Sequence, residues 1–407
     1  MKKLYLLLFI LFLSAKIYPQ WVLTNAPKGI PIYSFASSGS NVFAGGDNDS
    51  YVDIGGCVFL STNNGVDWTN VSNGLTCPEI CSLAISDTFI FAASYGDGVF
   101  LSTNNGNSWN NVSNGLTNKS VYTMIFLSVE GEEPYLFAGT YGGGIFLSTN
   151  YGINWTTVNN GLTGLEVYAF AVGDSNLFAG TNDGIFITTD NGKNWKQIAW
   201  DNQYVMSLTA YNTNLFTGAF YSPDNGVNWK NVSTGLTDLP VWALASRGSN
   251  VFALTNWGSI FLTTNNGENW TLINEGIIDT LVLSIGINDN YIFAGSNEKG
   301  VWRRPLSEMI TSVENATELP MEFALYQNYP NPFNPSTSIE YRVASTEYVT
   351  LKVYDILGRE IVTLVNEEKP AGTYEVKWNA EGLSSGIYFY KLQAAVFVQT
   401  KKMILLK

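Results

Sequence analysis

Ser61-Thr-Asn-Asn-Gly65-Val-Asp-Trp68 returns five more times along the chain, as Ser102 to Trp109, Ser148 to Trp155, Thr188 to Trp195, Ser222 to Trp229 and Thr263 to Trp270. A period of about 40 residues with β-type sequence between copies signals radial or linear repetition of one supersecondary unit. Each part of the octet has a physical task. The hydroxyl and the third side chain bond backbone groups inside a hairpin turn, the glycine takes positive φ, and the tryptophan packs back onto the sheet.

Other landmarks keep the same period. Phe43, Phe91, Phe137, Phe178, Phe216, Phe252 and Phe293 each open a Phe-Ala-Gly-like step that marks one strand seven times. Val58-Phe59, Val99-Phe100, Ile145-Phe146, Ile185-Phe186, Ala219-Phe220, Ile260-Phe261 and Val301-Trp302 mark the next. An inner strand such as Val167 to Ala171 precedes them, and an outer strand such as Trp229 to Val232 follows each octet. Four short strands in seven units give a seven-bladed β-propeller. After Val301-Trp302 the pattern breaks into Arg303-Arg304-Pro305 with no octet, while Trp21-Val-Leu-Thr-Asn25 reads as an outer strand without a unit. Joining the two ends completes blade seven and removes exposed edges. In blade five the chain from Phe216 to Asp224 is shorter than from Phe178 to Asp190, so its second hairpin is clipped and the rim notched.

The octets resemble the Asp-box, or BNR, repeats of β-propellers such as sialidases, sortilin-type receptors and photosystem assembly factors. Here the third position is Asn at Asn63, Asn104, Asn150 and Asn265, and Asp at Asp190 and Asp224. An uncharged amide closes the same turn but is a poor ligand for a hard cation, so Trp68, Trp109, Trp155, Trp195, Trp229 and Trp270 belong to fold staples rather than to a ring of calcium sites. No metal or cofactor is expected.

Met1-Lys2-Lys3 followed by Leu4 to Leu13 reads as a secretory signal peptide, assigned to residues 1–20, ahead of a propeller at 21–305. The acidic, aperiodic stretch 306–318 reads as a linker. From 319 to 407 the composition changes to alternating runs bounded by Gly, Asn and Pro, a small immunoglobulin-like β-sandwich. Asn331-Pro332-Phe333-Asn334-Pro335, Asp355-Ile-Leu-Gly358-Arg359, Gly386-Ile-Tyr388 and Lys402-Met403 give this segment the look of a type IX secretion C-terminal sorting domain. That resemblance implies two partners, the outer-membrane translocon and a sortase-like peptidase, and a fate outside the cell by way of the periplasm, with release or attachment at the surface. The same motifs also serve as sandwich turns.

Composition limits the chemistry. With 34 acidic and 21 basic residues, net charge −13, the surface repels phosphate backbones, so nucleic acid is not an expected partner. The mature chain has no further stretch able to span a membrane. Three cysteines, Cys57, Cys77 and Cys81, allow one bridge, with the pairing open. The chain has no histidine, which removes Ser-His-Asp triads and His-ligated zinc. The propeller carries Arg247, Arg303 and Arg304, two of them adjacent, so the arginine triad of a sialidase is not to be expected.

The ligand face of such propellers lies opposite the octets. Carboxylates expected there are Asp47, Asp49, Asp53, Asp97, Asp183 and Glu298; aromatic residues are Tyr51, Tyr95, Tyr141, Trp200 and Trp257. Rings beside polar loops stack sugars or peptides. Converging carboxylates would instead support glycoside hydrolysis. The reading is a secreted or surface-displayed, non-enzymatic binding propeller for an extracellular glycan or protein. The alternatives are an extracellular glycoside hydrolase or polysaccharide lyase, and a structural cell-envelope scaffold or adhesin.

Overall fold

A computed structural model describes residues 20–406 except 48–56, 77–78, 87, 129–132, 175, 279, 311–322, 345, 371 and 396. The signal-peptide assignment, residues 311–318 of the linker, Asp49, Tyr51, Asp53 and Cys77 fall outside the described residues. The chain divides into two compact units, Met1–Thr311 and Ser312–Lys407.

In the first unit the repeat becomes seven four-stranded antiparallel sheets. Blade four is representative, with strands Val167–Gly173, Asn176–Thr181, Gly184–Thr188 and Lys196–Ala199 paired in chain order. Its second strand is buried from Leu177 to Thr181, which explains why the Phe-Ala-Gly step reads as a continuous apolar run and not as an alternation. The first strands of neighbouring blades touch round a closed cycle, Val282–Ile287 of blade seven meeting Ile32–Ser38 of blade one. There the Ser284 hydroxyl donates to the Ile32 carbonyl at 2.6 Å. First strands are therefore innermost.

Blade seven is built from both ends. Val22–Leu23 is its outermost strand, with Val22 opposite Arg303 and Leu23 opposite Trp302. After Trp302, where the octet pattern stops, the third strand runs on to Pro305. Arg304 can sit in it because its buried guanidinium donates to the Ile273 carbonyl at 3.0 Å and meets Glu275 at 3.4 Å. Beyond the expected boundary at 305, Leu306 is buried in a 3-10 turn, and Met309 and Ile310 pack on the same cluster. The packed chain thus runs to Ile310.

The octets form identical turns. In the first, Ser61 Oγ accepts the Gly65 N–H at 2.8 Å and Asn63 Oδ1 accepts the Asp67 N–H at 3.0 Å. Asn150 Oδ1 accepts from Asn154 at 3.0 Å, and Asp190 Oδ1 from Asn194 at 2.9 Å, so amide and carboxylate do the same work. The carboxyl of Asp190 is held below its usual range by the Asn194 side-chain amide and backbone N–H.

The tryptophans, expected to pack back onto the sheet, do so with indole N–H groups that reach the preceding blade. Trp109 donates its indole N–H to the Val71 carbonyl at 2.6 Å, Trp155 to Val112 at 2.7 Å, Trp195 to Val158 at 2.8 Å and Trp270 to Val232 at 2.7 Å. Trp21, outside any octet, takes the same place in blade seven and donates to Ile273 at 2.6 Å. Trp68 reaches Thr24 Oγ1 at 3.1 Å. The receiving segments share a second repeat: Val71-Ser-Asn-Gly-Leu-Thr76, Val112 to Thr117, Val158 to Thr163, Val232 to Thr237 and Ile273 to Ile277. Its glycine lies under the tryptophan backbone. A Cβ on Gly115, which has φ 91°, would stand 2.2 Å from the Trp155 carbonyl oxygen.

The second unit is a sandwich. Ala324–Leu325, Ser336–Val343 and Gly372–Asn379 make one sheet. Glu360–Lys369, Glu347–Tyr354, Gly386–Ala394 and Phe397–Leu405 make the other. Alternate residues turn inward, Ile339, Tyr341 and Val343 against Val349, Leu351, Val353 and Tyr390.

Candidate functional site

Antiparallel pairing in chain order puts the octets at one end of the ring. At the other end lie each blade's second hairpin and the connection to the next blade. Every described residue expected on the ligand face sits at that second end. Asp97, Asp183, Trp257 and Glu298 are in second hairpins, Asp47, Tyr95 and Tyr141 close second strands, and Trp200 follows the last strand of blade four.

At this end six of the inner strands carry a β-bulge after their first residue, at Ile32, Ile80, Val121, Val167, Val241 and Val282. A bulge re-aims the extra side chain. The residues so placed are Tyr33, Cys81, Tyr122, Tyr168, Trp242 and Leu283, and Met206 holds the corresponding position in blade five. An arc of rings results: Tyr122 lies 5.7 Å from Tyr95, 5.6 Å from Tyr141 and 6.2 Å from Tyr168, which is 6.0 Å from Tyr204. Tyr95, Tyr141 and Tyr204 are exposed. Burial pushes the Tyr122 and Tyr168 hydroxyls up, and for Tyr168 the hydrogen bond it donates to Glu166 adds to the shift. Tyr33, Tyr122, Tyr168, Tyr204 and Glu166 were not singled out from sequence. The signal that could have found Tyr33, Tyr122 and Tyr168 is the residue after the Val or Ile that starts each inner strand; Glu166 and Tyr204 come just before that Val.

The arc ends at the seam between blades four and five, where a cavity of about 480 Å³ opens. The expected notch is its floor. The second hairpin of blade five is a two-residue turn, Gly218-Ala219, between Asn214–Thr217 and Phe220–Ser222. Its walls are Trp200, Tyr204, Met206, Phe220, Leu239 and Pro240, with Gln203, Ser207 and Thr217 as the polar side chains. Blade four also lacks the second repeat, having Ile198-Ala-Trp200-Asp-Asn-Gln203 in its place. Trp229 makes no bond to a blade-four carbonyl among the described residues. It donates to Gly226 of its own turn at 3.0 Å, and Trp200 meets it edge to face at 4.4 Å. Trp200 is therefore a wall of the cavity and not a free platform.

The carboxylates are distributed differently from the rings. Asp183 caps loops, accepting the Asn202 N–H at 2.9 Å and the Thr163 hydroxyl. Asp97 lies in a tight turn, its N–H on Ser94 Oγ at 3.2 Å. Trp257 is exposed and has no ring neighbour among the described residues. Asp47 pairs by backbone with Glu79 on the next blade. Burial, and then the charge of Asp47, raises the Glu79 carboxyl above its usual value. Among the described residues no group of three His, Cys, Asp or Glu side chains could hold a metal, and no helix is long and apolar enough to cross a membrane.

In the second unit most of the motif residues are structural. Phe333 and Met403 are buried, Asn331 Oδ1 accepts the Ile404 N–H at 2.9 Å, and the Ala380 N–H donates to the Pro335 carbonyl at 2.9 Å. Tyr388 donates to the Ser384 carbonyl at 2.8 Å, and Gly386 and Lys402 lie in the ladder that joins the last two strands. Asp355 closes its hairpin by accepting the N–H groups of Leu357 and Arg359 at 2.9 Å, with Gly358 at φ 75°. The Arg359 guanidinium returns to Asp355 at 2.7 Å, while Ile356 and Leu357 at the tip are exposed.

Residues 327–406 match the family of secretion system C-terminal sorting domains. The chain is thus cargo of the type IX secretion system, secreted or on the cell surface. A search of curated proteins returned no match. Among solved structures it is similar to YCF48 bound to D1 peptide, at 14% identity and TM-score 0.57, covering 71% of this chain and 97% of that one. It is also similar to an ancestral GH74 enzyme, at 16% identity and TM-score 0.56, covering 92% of this chain and 59% of that one. A third is the extracellular domain of a putative hybrid two component system from B. thetaiotaomicron, at 11% identity and TM-score 0.54, covering 96% and 59%. At such identities the likeness is one of propeller fold.

Proposed function

We propose that the propeller is a secreted or surface-displayed binding module that takes an extracellular ligand on the face opposite the octets. The observation that carries this reading is the arc of Tyr95, Tyr122, Tyr141, Tyr168 and Tyr204 running into the seam cavity. Rings exposed beside a concave apolar site are what ligands stack upon. Fold alone does not decide the matter, since one similar structure holds a peptide and another is an enzyme. The test is a panel of glycans and extracellular proteins probed with the full protein and its Tyr122→Ala, Tyr168→Ala and Asn107→Ala variants. Binding should fall with the two tyrosines and persist in Asn107→Ala, which alters the octet face. Loss in Asn107→Ala alone would move the site to the other face.

Glu79 beside Asp47 favours one second reading, a glycoside hydrolase with Glu79 as general acid. Release of reducing ends from β-glucans, abolished by Glu79→Gln, would establish it. The octets are assigned to the Asp-box type, residues 1–20 to a signal peptide, and 319–407 to a domain read by the translocon and cut by a sortase-like peptidase. A chain ending at Pro320 should then stay in the periplasm, and 319–407 fused to an exported reporter should carry it outside. Equal extracellular yield of full-length and shortened chains would show the domain to be a bystander.

A further inference from the structure

The seam cavity is a place where backbone is missing. In blade four, Ala169 of the inner strand pairs with Gly180 of the second strand. In blade five the inner-strand ladder has shrunk to Thr209–Tyr211, because the clipped hairpin has already turned at Gly218. Ser207 stands at the register of Ala169 and is buried. Its carbonyl is met by the Thr217 hydroxyl at 2.9 Å, but among the described residues its N–H has no backbone partner. Ser207 lines the cavity, and a backbone N–H left without a partner there is an unmade hydrogen bond and a seat for another chain's carbonyl.

The lining argues what that chain is. A glycan presents hydroxyls on every side and needs many polar partners. Here the polar side chains are Gln203, Ser207 and Thr217, and the hydroxyls of the last two already donate to the Val241 and Ser207 carbonyls. The rest of the wall is aromatic and aliphatic. Acidic residues adjoin the lining in sequence: Asp201 follows Trp200, Asp238 precedes Leu239 and accepts the Ser259 hydroxyl at 2.7 Å, and Asp183 binds the Asn202 N–H. Neither lysine nor arginine occurs in 199–208, 216–221 or 237–242, the segments that build the site.

Resting on the binding reading above, we infer that the seam takes an extended segment of a partner polypeptide. Its central apolar side chain enters the cavity, the backbone pairs beside Ser207 where the hairpin of blade five is cut short, and basic residues flank it towards Asp183, Asp201 and Asp238.

The test uses the full protein and fluorescent nonapeptides of alternating valine and threonine, with a central leucine, phenylalanine or alanine and paired lysines or paired glutamates at both ends. Xyloglucan and N-acetylglucosamine oligosaccharides serve as the glycan arm. Lysine-flanked peptides with central leucine or phenylalanine should bind at least tenfold tighter than the alanine or glutamate-flanked forms. Inserting Thr-Asn-Asp-Gly between Gly218 and Ala219 restores the hairpin of blade four and should weaken binding at least tenfold with thermal unfolding unchanged. Leu239→Lys, at an exposed rim position, should weaken the lysine-flanked peptides in a protein that folds normally. Peptide binding no tighter than the alanine control, or untouched by both variants, overturns the inference. Oligosaccharide binding that depends on Tyr122 and Tyr168, with no peptide binding, overturns it while leaving the binding module standing. Absence of both defeats the two together.

Discussion

The seam between blades two and three and the seam between blades four and five are made from the same repeat and differ in every locking element. At the first, Trp155 crosses to the Val112 carbonyl, its N–H meets the Asn114 carbonyl at 2.9 Å, and Gly115 lets the two backbones touch. At the second, the receiving segment is replaced, Trp229 is left on its own turn, and the neighbouring hairpin is cut short. A ring needs most of its seams closed to stay a ring. One open seam is where such a ring gains a concave site, at the place where repeat and local rule part company.

The largest expected effect comes from the seam that closes the circle. Deleting residues 21–25 removes the outer strand of blade seven and the Trp21 bond to Ile273, and exposes the edge of Val301–Pro305. Loss of a single cooperative denaturant transition, with aggregation, is expected. An unchanged transition would show that the strand is dispensable.

Next come the tryptophans, where the two seams can be set against each other. Trp155 is buried and bridges blades, so Trp155→Ala should cost about 3–5 kcal/mol in urea unfolding. Trp229 is partly exposed and bridges nothing by its indole N–H, so Trp229→Ala should cost less than half as much. Equal costs would remove the distinction between closed and open seams. Gly115→Ala, with its Cβ against the Trp155 carbonyl and positive φ, should cost about 1–3 kcal/mol. Gly218→Ala in the open hairpin meets no atom within 4 Å and should cost less, for backbone conformation alone.

Much of this architecture was legible in the chain, because the octet and the Phe-Ala-Gly step carry local physics that needs no tertiary information: a turn, a doubly buried strand, an unpaired end. Closure by Trp21 to Asn25 followed from counting strands. The crossing of the tryptophans did not, since a turn sequence does not say which neighbour its indole meets. The second repeat beginning at Val71 is legible in the sequence, as is its absence from blade four, but nothing in it says that it receives a neighbour's indole. The tyrosine arc was hidden for a different reason. Tyr122 and Tyr168 lie in apolar inner strands, and only the bulge after Val121 and Val167 turns them to the face. Trp200 has φ 56° and its ring lies against Phe220 and Trp229, an arrangement that the residue's place after the last strand of blade four does not announce.

The smallest expected effect separates a staple from a cation site. Asn150→Asp should leave thermal stability at pH 7 within about 0.5 kcal/mol, since Asp190 in the same turn makes the same bonds. It should also leave the melting temperature indifferent to calcium or EDTA. What it should add is sensitivity to acid. Hydrogen bonds from Asn194 hold the Asp190 carboxyl below its unfolded value, so its contribution is complete above about pH 4 and is lost as pH falls through the folded pKa. An aspartate at 150, facing the Asn154 N–H, should bring a further loss of melting temperature as pH falls below about 4. Asp190→Asn should take one away. Calcium-dependent melting of Asn150→Asp would instead make these turns latent metal sites.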